Sequence, residues 1–165
     1  MRRWFLSKKE KKNILQLINK RFPDLDITRF AERNLEYYVE DDIKLLIMDR
    51  RPSFIILEEN DVIPHLMFLL QTDFKSWLPY VVIDNGAVKP ISRGAALMRP
   101  GILEVSKKFA KDDIIVIVEP TKLLPLAVHR ALYDYQTILA MKKGRVTDPI
   151  HHIGDRYWKI GERIR

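Results

Sequence analysis

The chain has 165 residues, 47% hydrophobic and 31% charged. That is enough for one ordinary core or two small ones, and too little for a large barrel enzyme or a dinucleotide-binding enzyme with its own substrate domain. Cysteine is absent, which excludes disulfide scaffolds, thiolate zinc sites, iron–sulfur clusters and cysteine nucleophiles. The net charge of +7 lies almost wholly in the second half: residues 1–78 carry 14 basic and 13 acidic side chains, residues 79–165 carry 15 and 9. A domain that meets a polyanion has such an imbalance, and a merely soluble basic surface is the alternative.

The opening MRRWFLSKKEKKN has only Trp4–Leu6 as an apolar run, far short of a signal-peptide core, and no apolar stretch approaches 18 residues. A soluble, cytoplasmic protein without membrane contact is expected. Ser7 followed by Glu10 forms a capping box for a helix over about Lys8–Arg21, with Ile14, Leu15 and Ile18 on one stripe and Phe22-Pro23 ending it. An irregular or short helical stretch over Asp26–Arg33 leads to three strand-like runs, LEYYV, IKLLIMD and SFIILEE, which suggest a small antiparallel sheet. The segment NDVIPHLMFLLQ then predicts a helix capped by Asn60 or Asp61, with Pro64 in its first turn. Trp77 and Leu78 mark a seam between two halves, where they are expected to pack.

Beyond the seam, YVVIDNGAVKPI predicts a hairpin turning at Asn85-Gly86. SRGAALMRPGI predicts a helix of one or two turns begun by Ser92 and ended before Pro100-Gly101. Strands are expected at DIIVIVE, LAVHRAL and RYWKIG, with a helix in DYQTILAMKKG capped by Asp134. Short strands, glycine turns and two short helices together predict a small β-barrel.

The segment Asp84–Gly101, DNGAVKPISRGAALMRPG, resembles the opening of a PUA domain, the small pseudo-barrel found in pseudouridine synthases, archaeosine transglycosylases and several translation factors. The family's "GA" stands at Gly86-Ala87 and its "sGanLxxPG" segment at Ser92–Gly101, with Ala96 replacing the family's asparagine. Over its whole length the chain is similar to archaeal proteins with a pre-PUA domain before the PUA domain. It is likewise similar to the eukaryotic T-cell malignancy-associated translation factor family and its yeast ribosome-associated counterpart. The resemblance implies an α+β protein: a small N-terminal α+β (pre-PUA-like) domain over residues 1–76 and a C-terminal PUA-type β-barrel (pseudo-barrel) over residues 79–165. It implies binding of structured RNA, tRNA or small-subunit rRNA, in translation initiation or ribosome recycling, alongside ribosomal or translation-factor proteins and with no cofactor.

The first candidate site joins the expected hairpin to the helix after it. Gly94 in a first turn would let a sugar-phosphate backbone approach, and free amides there favour an anion. Ser92 would cap that helix, Lys89, Arg93 and Arg99 would contact phosphate or a base edge, and Gly101 would close the motif. Tight packing of a helix on the barrel explains the same glycines and Pro100 without RNA. A second basic group comprises Arg145, Arg156, Lys159, Arg163 and Arg165. Alternation in DRYWKI would put Arg156, Trp158 and Ile160 on one side and Tyr157 and Lys159 on the other, with base stacking or ordinary packing as the two uses of its rings. Lys107, Lys108 and Lys111 form a basic loop. Lys8, Lys9, Lys11 and Lys12 read as a solvated helix face, with contact to ribosomal RNA as the lesser reading.

Enzyme readings find no support. His65, His129, His151 and His152 show neither HExxH nor a metal-ligand spacing, and adjacent side chains of an extended segment point apart. There is no phosphate-binding loop, dinucleotide fingerprint or nucleophile elbow. A non-enzymatic RNA-binding protein is the leading expectation. A protein-interaction adaptor on the ribosome and an accessory module for an RNA-modifying enzyme are the alternatives.

Overall fold

A computed structural model describes residues 1–164, which divide into two units: Met1–Trp77 with the segment from Lys159 onward, and Leu78–Trp158. In the first unit, Arg2–Phe5 (β1) leads into the helix Lys8–Arg21 (α1). The capping box forms as expected: Ser7 Oγ accepts the Glu10 amide at 3.1 Å and Glu10 Oε1 accepts the Ser7 amide at 3.0 Å. Ile14 and Ile18 are buried and Phe22 terminates the helix. After the short helix Thr28–Ala31 (α2) come Leu35–Glu40 (β2), Ile43–Met48 (β3) and Arg51–Ile56 (β4).

These three expected strands sit within a five-stranded antiparallel sheet. Its outer members, β1 and Val62–Pro64 (β5), were not foreseen. The expected helix beginning at Asn60 or Asp61 is therefore corrected: Val62 and Ile63 pair with β4 instead. Proline carries no amide donor, which suits Pro64 to an edge strand. The helix starts only at Leu66–Leu69 (α3), capped by His65, whose Nδ1 accepts the Met67 amide at 3.0 Å.

Five rings fill this unit's core. Trp77 stands 5.4 Å from Phe22, 6.1 Å from Phe68 and 6.2 Å from Phe54, centroid to centroid, and Phe30 stands 5.8 Å from Phe54. Burial of such rings contributes on the order of 2–3 kcal/mol each. Trp77 is thus a core residue of the first unit, not simply a seam marker.

The second unit contains Tyr80–Ile83 (β6), Asn85–Ser92 (α4), Ile102–Val105 (β7), Ile114–Val118 (β8), Pro125–Ala131 (β9), Tyr135–Ala140 (α5) and Thr147–His152 (β10). Its sheet runs β10-β9-β8-β6-β7, antiparallel except for β6 beside β8. Val81, Ile83, Ile115, Ile117, Ala127 and Val146 form the centre of its core. Asp134 caps α5 as expected, accepting the Thr137 amide at 2.7 Å.

Three local expectations change here. No hairpin turns at Asn85-Gly86: Asp84 Oδ1 accepts the Ala87 amide at 2.9 Å and starts α4 at those residues. Asp-Asn-Gly serves a turn or a helix start equally well, and burial of Ile91 favours the helix. Consequently Ser92 is the last residue of a helix and not the cap of one, and Gly94 follows the helix end with φ +97°. Finally, RYWKIG is not a strand: Arg156–Arg163 is a helix (α6), with Asp155 Oδ1 accepting the Trp158 amide at 2.8 Å. Ile160 and Gly161 are its buried positions and Tyr157 and Trp158 are half-buried, so covered side chains recur at i, i+3 and i+4, a helical spacing that the short alternation concealed.

The first residues of α6 group with the second unit, and from Lys159 it groups with the first. No helix among the described residues is long and apolar enough to cross a membrane.

Candidate functional site

The segment after α4 runs back across the second unit and pairs with the approach to β10. Leu97 donates its amide to Thr147 Oγ1 at 2.9 Å and accepts the Val146 amide at 2.9 Å. Arg99 donates its amide to the Gly144 carbonyl at 2.8 Å, and Met98 forms a β-bridge with Arg145. At the other end, the Asp84 amide donates to the Gly101 carbonyl at 2.9 Å. These ties hold 97–101 alongside α4 and leave a groove of about 360 Å³. Asp84, Ala87, Pro90, Ile91, Leu97 and Pro100 are among its walls.

The candidate cations take distinct positions, and none of them is among the described lining residues of this groove. Lys89 is exposed in the last turn of α4, and Arg93, also exposed, is its C-cap. Arg99 is half-buried and donates through Nε to the Ile138 carbonyl at 2.8 Å, so it also fastens the end of α5. Arg145 is exposed and donates through Nε to the Thr147 carbonyl at 2.9 Å and through Nη2 to Asp148 Oδ1 at 2.6 Å. Chain pairing therefore brings the Arg99 and Arg145 segments side by side.

The expected anion site at a helix start does not form at Gly94, because that residue follows a helix C-terminus. The true start of α4 is occupied by the Asp84 carboxylate. Gly94 instead faces a histidine: a Cβ added there would lie 2.9 Å from His152 Nε2. The His152 Nδ1–H donates to the Ile153 carbonyl at 2.8 Å and fixes the ring against that glycine. Gly101 is packed close to Ala87 and Leu97.

The remaining candidates lie at the C-terminal end of the chain. Arg156 and Lys159 are exposed on α6, and Lys159 groups with the first unit. Arg163 donates to Glu40 Oε2 at 2.7 Å, and Arg165 lies outside the described residues.

Four residues that sequence reasoning did not place in this site, Thr147, His129, His151 and Asp155, stand behind it. Thr147 Oγ1 accepts the Leu97 amide and shares a 2.8 Å hydrogen bond with His129 Nδ1. Burial, reinforced by the neighbouring His152 and Arg145, pulls the His129 pKa down to about 3, so the ring is neutral. His151 is also buried and its pKa is lowered by burial, despite the 2.8 Å bond to Asp155 Oδ2. Asp155 spans the end of β10 and the start of α6, since it accepts the amides of His152 and Trp158 as well. No local sequence signal announces these long-range partners. Among the described residues, no three histidine or acidic side chains are arranged to hold a metal ion.

Comparison with known proteins identifies both units. Residues 79–153 match the PUA domain and residues 2–72 match a domain of unknown function, DUF1947. The chain is 30% identical over 162 residues to an uncharacterized protein of Methanocaldococcus jannaschii, with 96% of each chain covered. It is 30% identical over 127 residues to translation machinery-associated protein 20 of Saccharomyces cerevisiae, covering 73% of this chain and 68% of the yeast protein. A conserved PUA domain protein from Thermoplasma acidophilum has a similar structure, with a TM-score of 0.78 at 26% identity over 97% of this chain and 99% of that one. Joining a DUF1947 region to a PUA domain, the chain belongs to the translation machinery-associated protein 20 family.

Proposed function

We propose that this chain is a non-enzymatic RNA-binding protein of the cytoplasm that recognises structured tRNA or small-subunit ribosomal RNA in translation initiation or ribosome recycling. The observation that carries the reading is the groove along α4, walled by the PUA motif residues and bordered in sequence by Lys89, Arg93 and Arg99. The contact set is Lys89, Ser92, Arg93, Gly94, Arg99, Gly101 and Arg145, displayed on a second unit that closes as a PUA-type pseudo-barrel.

Exposed lysine and arginine side chains hold phosphates, while the fixed 97–101 segment supplies shape. Arg99 has its Nε committed to Ile138, which orients the rest of its guanidinium for a forked contact. Because A-form RNA is read mainly by shape and 2′-hydroxyls, specificity is structural and does not depend on a long sequence. Membership in a family that includes a translation machinery-associated protein supports the setting.

Fluorescence anisotropy with labelled tRNA tests this. With about five phosphates engaged, log affinity falls against log salt with a slope near −4. Lys89→Ala with Arg93→Ala, both exposed, lowers affinity about tenfold and reduces the slope by about 2. Binding that hardly responds to salt or to these substitutions contradicts the assignment.

A further inference from the structure

A second groove, of about 440 Å³, lies within the first unit between α1 and the sheet. That volume is within the range of small-ligand sites, about 300–1,000 Å³. Ile14, Leu17 and Ile56 give it an apolar lining, to which Tyr37 adds a ring. Asn13, Gln16 and Asn60 contribute three side-chain carboxamides, and Lys20 and Lys44 two ammonium groups. Among the described lining residues none is acidic.

The arrangement has a helical origin. Lys9, Asn13, Gln16 and Lys20 follow a four-three-four spacing along α1, which places them on one stripe. The only acid in α1, Glu10, has both oxygens engaged: Oε1 by the Ser7 amide and Oε2 by Trp4 Nε1 at 3.3 Å. Asp61, beyond the rim, is paired with Arg21 at 3.7 Å. Lys44 Nζ is held 4.0 Å from the centroid of the Tyr37 ring, a cation–π contact that fixes one positive charge at the edge of the groove. Burial, with the charge of Glu10, pushes the Tyr37 pKa up to about 12, so its hydroxyl stays a donor.

We infer that this groove is a second RNA contact, binding one unstacked nucleotide with its phosphate at Lys20 and Lys44 and its base on the apolar lining. The carboxamides decide between this ligand and an acidic peptide. Each offers a planar donor beside an acceptor, the pattern that a base edge presents in return. An acidic side chain would require only the lysines. The site is distinct from the PUA groove, since every described lining residue belongs to the first unit.

The test is titration of the 15N-labelled full chain with the four 5′-nucleoside monophosphates, inorganic phosphate and a Glu-rich peptide, followed by NMR. A saturable shift of the Asn13, Gln16 and Asn60 side-chain NH₂ signals with at least one nucleotide is the expected result. Lys20→Ala weakens that binding about fivefold without altering shifts in residues 84–101. If no nucleotide moves these signals, or if phosphate or the peptide moves them equally well, the inference is overturned. Shifts confined to residues 84–101 would overturn it too, while leaving the PUA-groove reading intact.

Discussion

Lowering the pH from 7 to 4.5 is expected to destabilise the wild-type protein by about 2.5 kcal/mol more than the variant His129→Gln. The ring of His129 is fully buried, with its Nε2 left without a hydrogen-bond partner among the described residues. Its folded-state pKa is about 3, against an ordinary value of 6.5. Between those values the unfolded chain binds a proton that the folded chain refuses, so stability falls as pH falls through the window from about 6.5 to about 3. Above 6.5 the ring is neutral in both states and contributes no pH dependence. His151 acts in the same direction, because its pKa is also lowered, but it is common to both proteins and cancels in the comparison. Glutamine retains a polar partner for Thr147 and cannot titrate. Urea denaturation followed by circular dichroism at the two pH values measures the difference; equal losses in both proteins would show that His129 is not the buried proton switch.

Gly94→Ala is expected to cost about 2–3 kcal/mol. A residue with a side chain at φ +97° meets backbone strain of roughly 1–2 kcal/mol. Its Cβ would also lie 2.9 Å from the Nε2 of His152, a ring already tied to Ile153. Gly154→Ala separates the two causes: φ is +84° and an added Cβ meets nothing within 4 Å. That variant carries the strain alone, so it is expected to be about 1 kcal/mol milder. Denaturation midpoints for the two variants give the comparison, and equal losses would exclude the His152 contact as a cause.

The difference between these glycines bears on what the sequence could reveal. The motif at Ser92–Gly101 was visible in the chain, and so was the importance of Gly94, yet the local geometry was not. Asp84-Asn85-Gly86 satisfies the chemistry of a tight turn and of a helix N-terminus alike, and the choice depends on Ile91 entering a core built from distant strands. Once that helix is capped by Asp84 instead of Ser92, Gly94 changes from an open helix start into a packed exit beside His152.

The C-terminal helix has a similar history. RYWKIG is too short for period two and period 3.6 to be distinguished, and Asp155, which caps it, is itself positioned by His151 on β10. Conversely, the Ser7–Glu10 box and the Asp134 cap were legible because donor and acceptor lie three residues apart. The charge asymmetry belongs to the two sequence halves and does not carry over to the two units. It could not show that Arg145 shares its guanidinium with Thr147 and Asp148, or that Lys159 and Arg163 group with the first unit.

The most direct test of the central claim is ultraviolet crosslinking of the full-length protein to total cellular RNA, with both the peptide and the RNA identified. The expected crosslinks join peptides spanning 84–101 and 144–148 to tRNA or small-subunit ribosomal RNA. Absence of crosslinks from both peptides, with the protein folded and the RNA intact, would contradict the assignment of the α4 groove as its RNA-binding site.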